Sequence, residues 1–386
     1  MSQFPLRYFD YAATTPLDPR VYAAMEPCLT EIYGNPSSLH QAGRRALNAL
    51  DAARDTVAAI INCSAADVVF TGGGSEGDNL AIKGVTQAYL QQHGKAHVII
   101  SGIEHHAGLH AAEAMARQGV DLTILPVDGT GLVDPAALAA AFQSHTALVS
   151  VMYANNEIGT IQPIAALAVL ANARGVPFHT DAVQAAGLLP IDVKALGVDV
   201  LTMTAHKFYG PKGVGVNYVR RGVSCTPQIH GGAQERRRRA GTENVAAIVG
   251  FAAALQIAAD ERAGEVARLL PLRDRLIAGI VGGLPGVTLT GHPHERLANN
   301  ASFVIDGVDG DSLLILLDQR GICASSGSAC TSGSLQPSHV LQAIGVISGD
   351  TQAALRLTLG RATTQDDVEA AIAVVTDVVP RLRAVG

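Results

Sequence analysis

Five cysteines, Cys28, Cys63, Cys225, Cys323 and Cys330, are spread through the 386-residue chain without a single Cys-x-x-Cys pair. An odd set with that spacing points away from a disulfide framework and from a thiolate zinc site. Positive charge is not in surplus either: 28 Lys and Arg stand against 34 Asp and Glu, a net charge of -6. Nucleic acids and anionic membranes are recognised through clustered cations, so neither is expected as a partner. No apolar run reaches the roughly 20 residues that a membrane-spanning helix needs. The longest, Val245 to Ala259, is interrupted by Gly250 and Gln256 and reads as a buried helix. The opening residues MSQFPLRYFDYAATTP are too polar for a secretory signal, and a reducing, cytoplasmic setting is expected. Repeats and low-complexity linkers are missing as well. Hydrophobic residues are plentiful at 48%, and 40 glycines and 17 prolines are scattered among them, as in an enzyme with many tight turns between short elements.

From about Asp67, short β-branched runs alternate with longer alanine-rich stretches: VVF, HVIIS and ALVSVMYA each precede a helical pattern. This rhythm predicts an α/β fold with a mainly parallel sheet, its active residues at strand carboxyl ends. Strands are predicted at Val176–Thr180 and Val198–Met203. A helix is predicted to open at Thr242, whose hydroxyl can cap it, and to be interrupted or kinked at Pro271. The division expected is a large domain over residues 15–262 and a smaller α+β domain over 263–386 together with 1–14.

Three features carry chemistry. Thr71-Gly72-Gly73-Gly74-Ser75-Glu76-Gly77-Asp78-Asn79 follows a strand and precedes a helix, a setting in which backbone NH groups can approach a phosphate. Gly72-x-Gly74-x-x-Gly77 also fits a dinucleotide fingerprint with Glu104 as a distant ribose ligand, whereas a P-loop would need lysine where Asp78 stands. Asp181 ends one strand and can pair with a protonated pyridine nitrogen. Lys207 ends the next, 26 residues on, where desolvation frees an amine for Schiff-base chemistry. A glycine turn, then an aspartate, then a lysine is the order of a pyridoxal-phosphate enzyme. A nicotinamide-dependent dehydrogenase accounts for the first feature alone. Four consecutive cations, Arg236 to Arg239, lack the interleaved aromatics of a nucleic-acid site. His105, His106 and His110 lack the glutamate of a helical zinc motif, so no metal is expected.

Tyr33-Gly34-Asn35-Pro36-Ser37-Ser38, Asn155-Asn156-Glu157-Ile158-Gly159, Asp181 to Gln184, His206 to Gly213, Arg239 to Thr242 and the serine-glycine segment around Cys330 occur in an order that resembles the cysteine desulfurases. The resemblance spans nearly the whole chain and is strongest to the group serving nitrogen fixation and general iron-sulfur cluster assembly. It implies a fold-type I pyridoxal-phosphate homodimer that converts L-cysteine to L-alanine and leaves a persulfide on Cys330. Selenocysteine lysis or another class-V aminotransferase-type reaction is the neighbouring possibility.

The same resemblance assigns roles. Lys207 would hold pyridoxal phosphate covalently, Asp181 would pair with its ring nitrogen, Gln184 would reach its phenolic oxygen, and His105 would stack on the ring near Asn156. The phosphate would rest on Gly74, Ser75, Thr204 and His206, with Thr242 contributed by the partner subunit. Arg356 would take the substrate carboxylate, for which a guanidinium fork is suited, with Asn35 and Asn156 bordering the same site. Cys330 would accept the sulfur and pass it to an acceptor such as an iron-sulfur scaffold protein. Cys323, which follows Ile322 in a strand pattern, reads as core.

Overall fold

The computed structural model describes residues 5–327, 338–346 and 352–384. Its strands are β1 (Arg7–Tyr8), β2 (Val68–Thr71), β3 (His97–Ser101), β4 (Asp121–Leu125), β5 (Thr146–Ser150), β6 (Phe178–Asp181), β7 (Val200–Thr204), β8 (Gly215–Val219), β9 (Val287–Leu289), β10 (Asn300–Asp306), β11 (Ile322–Cys323) and β12 (Gln352–Thr358). The central sheet has the order β2-β8-β7-β6-β5-β3-β4. Strands β3 to β7 pair in parallel, and β8 is antiparallel to both its neighbours, β7 and β2. β3, β5, β6 and β7 are buried throughout because helices cover both faces, which is why their sequences are runs rather than alternations. β2 runs the same way as β7. The carboxyl ends of β2, β3, β5, β6 and β7 therefore open along one edge, and the turns after them carry Gly72 to Ser75, His105, Asn156, Gln184 and Lys207.

A smaller antiparallel sheet, β12-β10-β9, and a parallel pair, β1-β11, lie apart from the large one. Apolar clusters cover both faces of the large sheet, and a separate one serves the small sheet and the β1-β11 pair together. Phe178, Phe208, Phe251 and Leu255 belong to the larger core; Phe9, Leu269, Leu276, Phe303 and Leu355 belong to the smaller. The helix Val245–Gly283 serves both, burying Phe251 and Leu255 near its start and Leu276 and Ile280 near its end.

Two expectations about this helix are corrected. Its cap is Asn244, whose side chain accepts from Ala247 N, and Thr242 lies outside the helix. Pro271 does not end it. Pro271 and the residue one turn before it, Ala267, are both exposed, so the carbonyl that loses its partner faces water while the buried side holds the helix in place. Cys323 is also corrected: it is half-buried on β11 beside Tyr8, and only Ile322 enters the core. No helix among the described residues is long and apolar enough to cross a membrane.

Candidate active site

Lys207 closes the short turn Ala205–Lys207 that follows β7. Its Nζ donates to Ala12 O at 2.6 Å and Ala13 O at 2.8 Å. The same amino-terminal stretch is tied down by Thr15, whose backbone and hydroxyl both donate to His206 O. The amine thus points into a cavity of about 280 Å³ whose lining includes Gly74, Ser75, His105, Asn156, Asp181, Gln184, Thr204, His206 and Arg356. Most residues that the sequence assigns to cofactor and substrate converge here from five separate strand ends.

Asp181 is the last residue of β6, and its Oδ1 accepts from Val183 N at 2.8 Å. Burial pushes its pKa up to about 6, with the Val183 hydrogen bond and the Lys207 cation acting the other way. Gln184 donates to Ala12 O at 2.9 Å. His105 caps the helix His106–Ala116, its Nδ1 accepting from Ala107 N at 3.1 Å. Burial, helped by the nearby Lys207 charge, lowers the His105 pKa to about 4, so the ring is neutral near pH 7. His206 is lowered to about 4 for the same two reasons.

Beside the cavity, and sharing Gly74, Ser75, Thr204 and His206 with it, lies a second cleft lined by Gly72, Gly73 and Lys212. Gly73 has φ +152°, a backbone state that side-chain-bearing residues avoid, and a Cβ on Gly74 would stand 3.0 Å from Val183. The turn therefore brings backbone close to whatever fills the cleft. The Gly72 NH is taken by Glu76 Oε2 at 2.8 Å, and that carboxylate, on the same cleft, is paired with Arg239; the later NH groups of the turn, the Ser75 hydroxyl and the Lys212 cation can seat an anion.

Arg356, on β12, is 2% exposed. Nη1 donates to Asn156 O at 2.8 Å and Gly327 O at 2.9 Å, and Nη2 to Asp10 Oδ1 at 2.9 Å. Its buried Nε has no hydrogen-bond partner among the described residues. Arg356 itself lines the cavity, and its guanidinium is a cation there for an arriving carboxylate.

Two assigned residues stand elsewhere. Asn35 is exposed, with Oδ1 taken by Ser37 N at 2.9 Å, and it does not line the cavity. Thr242 is also exposed and away from the cavity of its own chain. Cys330 lies outside the described residues. Glu104 is not available as a ribose ligand: it is buried and accepts from Ser101 Oγ at 2.5 Å and Met152 N at 2.8 Å, with burial lifting its pKa to about 8. The dinucleotide alternative loses its acidic residue. Sequence reasoning missed Ala12, Ala13 and Asp10, of which the two alanines act through backbone carbonyls and give no side-chain signal. It also missed Asp78, which lines the cavity.

The aminotransferase class-V family model matches residues 7–371. Among curated proteins, the chain is 48% identical to cysteine desulfurase IscS of Methanosarcina thermophila, covering 97% of this chain and 92% of that protein. It is 47% identical to cysteine desulfurase IscS of Dictyoglomus turgidum, covering 98% and 95%. Among solved structures, a NifS-like protein superposes with a TM-score of 0.91 at 34% identity, over 98% of this chain and 100% of that one. SspA in complex with cysteine superposes with a TM-score of 0.80 at 33% identity, over 92% and 98%. With matches of that extent and a lysine, an aspartate and an arginine gathered in one cavity, the chain belongs to the class-V aminotransferase family, in its cysteine desulfurase branch.

Proposed function

We propose that this protein is a pyridoxal-phosphate-dependent enzyme that takes sulfur from L-cysteine, yielding L-alanine and a persulfide on Cys330. The observation that carries the reading is the convergence of Lys207, Asp181 and Arg356 on one cavity next to an anion-accepting turn. The donor set fits the cofactor: an amine for its aldehyde, a carboxylate for its ring nitrogen, and a cup of NH groups, Ser75 and Lys212 for its phosphate. When bound, pyridoxal phosphate supplies a ring that stores the electrons of a broken Cα bond. Lys207 Nζ takes and returns the Cα proton, and Asp181 holds a proton at the ring nitrogen. Neutral His105 covers the ring without adding charge. The Arg356 guanidinium, which lines the cavity, orients the substrate carboxylate. The Cys330 thiolate accepts the sulfur: the Cβ–S bond breaks, an S–S bond forms, and the substrate remainder leaves as alanine.

The enzyme works as a homodimer in this reading. Exposed Tyr22, Leu29, Tyr33, Leu39 and Leu47 leave an apolar surface for a second copy. Thr242, remote from its own cavity, would complete the partner's phosphate seat. The two apolar cores support a division into domains near residues 262 and 263, and an acceptor protein such as an iron-sulfur scaffold would receive the persulfide. The test is chemical mapping. Borohydride reduction of the coloured, cofactor-loaded protein should label Lys207, and L-cysteine should add one sulfur to the peptide bearing Cys330. Cys330→Ser should bind L-cysteine but accumulate neither alanine nor persulfide. A label on Lys212 or Lys194, or full turnover by Cys330→Ser, overturns the assignment.

A further inference from the structure

The run of cations Arg236 to Arg239 has no task in the reaction above, and of the four Arg239 is the one that makes an ion pair among the described residues. Its partner is Glu76, with Nε 2.9 Å from Oε1 and Nη2 3.3 Å from Oε2. Glu76 Oε2 also accepts from Gly72 N at 2.8 Å. The carboxylate is thus a brace: from the first turn of its helix it reaches back over the glycines, much as the acid of a capping box does, and holds their bend. A Cβ on Gly72 would stand 2.7 Å from that oxygen, so the brace lies directly on the turn.

The brace puts a negative charge where an anion is wanted. Among the described residues Glu76 is the one acid lining the cleft, and a carboxylate there repels a phosphate. Arg239 does not line the cleft, so it meets that charge from outside. A strained turn carries it there. Glu235, Arg236 and Arg237 have φ of 45°, 56° and 66°, three left-handed residues in a row and none of them glycine. Such a run persists only where its surroundings hold it. Glu235 is buried and accepts from the two Nη atoms of Arg54, at 2.8 and 2.6 Å, and from Phe70 N at 2.9 Å. Phe70 lies on β2, the strand that leads into the glycine turn. Past Arg239, Gly241 N donates to Gln234 Oε1 at 3.1 Å and closes the segment. One strand therefore leads into the braced turn and anchors the cation that pairs with its brace.

We propose that Arg239 is a positioning residue of the phosphate seat: it acts through Glu76, cancelling the charge of the carboxylate that braces the glycine turn, so that the turn is held without repelling an anion. The inference rests on the pyridoxal-phosphate reading above. Full-length protein freed of cofactor is titrated with pyridoxal phosphate, followed by visible absorption, and with inorganic phosphate, followed by calorimetry. Arg239→Gln leaves Glu76 uncompensated and should weaken both ligands by about tenfold, the scale of one unpaired charge beside a partly exposed anion, and by less in high salt. Arg239→Lys keeps the charge and should stay within about threefold of wild type. Glu76→Gln still offers an oxygen to Gly72 N and should bind at least as tightly as wild type. The double variant Arg239→Gln with Glu76→Gln carries neither charge and should return to within about threefold of wild type. Should Arg239→Gln fail to fold, Arg239→Met, which keeps a long apolar stem, replaces it alone and in the double variant. A double variant as weak as the single one would mean that Arg239 attracts the phosphate itself or only holds the fold, and overturns the proposal, as would wild-type affinity in the single variant. Wild-type protein that takes up no pyridoxal phosphate would sink the cofactor reading, and inorganic phosphate would then decide this inference by itself.

Discussion

Arg356 shows how one side chain can be structural and functional at once. Its Nη atoms tie Asn156, Gly327 and Asp10 together while the residue lines the cavity beside Lys207 and Asp181. A lysine could replace the charge but not the geometry, because an ammonium cannot make two parallel bonds from a rigid fork. Arg356→Lys should therefore raise the KM for L-cysteine by about a hundredfold, the scale of one charge-assisted bidentate contact, while cofactor affinity stays within a few-fold. Steady-state kinetics beside a cofactor titration checks this, and an unchanged KM would move the carboxylate subsite elsewhere. At this scale Lys207 and Asp181 were legible from their places at strand ends. Asp10 was not, because nothing in its local sequence says that β12 will bring an arginine to it from 346 residues away.

The helix Gly74–Asn79 runs on without a break through the π-helical turn Leu80–Gly84 into Val85–His93, and how closely its first turns lie on the sheet is set by what Gly77 allows. A Cβ at Gly77 would stand 2.5 Å from Asn217 Oδ1 and 2.6 Å from Thr202 Cγ2. Gly77→Ala must push the helix off β7 and β8, carrying Gly74, Ser75 and Asp78 with it. We expect a stability loss of about 1–3 kcal/mol, as for other overpacked sites, together with weaker cofactor binding. Urea unfolding and cofactor titration report the two effects, and wild-type values in both would mean that the turn has slack. In the sequence, Gly77 looked like the third glycine of a dinucleotide fingerprint. Its task is the one such a glycine has, close helix–strand packing, on a fold that binds something else. The helix Val245–Gly283 makes the opposite point: propensity alone breaks it at Pro271, yet exposure of that turn and burial on two cores carry it through.

Over the whole molecule, the buried titratable groups make stability depend on pH in two directions. His179, His105 and His206 have folded pKa values of about 3, 4 and 4, below the ordinary 6.5, so the stability tied to their neutral forms is lost as pH falls below that value. Glu104 acts oppositely. Its folded pKa is about 8 against 4.5, so the folded state keeps a proton the unfolded chain releases, and this contribution drains away as pH rises from 4.5 to 8. Between pH 6.5 and 8 Glu104 should cost about 2 kcal/mol, with Asp78, which burial and Asp181 also raise, adding in the same direction and the last of the histidine titration in the unfolded chain offsetting part of it. Glu104→Gln in the cofactor-free protein should remove that much of the decline, read as urea midpoints at the two pH values. An equally steep decline in the variant would place the loss on other groups.

The sequence by itself determined the elements and the chemistry at their ends. Buried β-branched runs made a parallel sheet, glycines made a turn close enough for an anion, and Asp181 and Lys207 fell where two such strands stop. These are local facts, written in periodicity and in residue type. Tertiary structure decided what long-range packing alone can decide. It placed the carbonyls of Ala12 and Ala13 on the Lys207 amine, set Asp10 against Arg356, and turned Glu104 inward onto Ser101 and Met152. Asn35 and Thr242, assigned to the site by their motifs, stand outside the cavity of their own chain, because a local motif does not fix where folding carries the residue. The physical reason is common to all of these: a carboxyl's or a guanidinium's charge state and partner follow from the water it has lost, and that is fixed only when distant segments close over it.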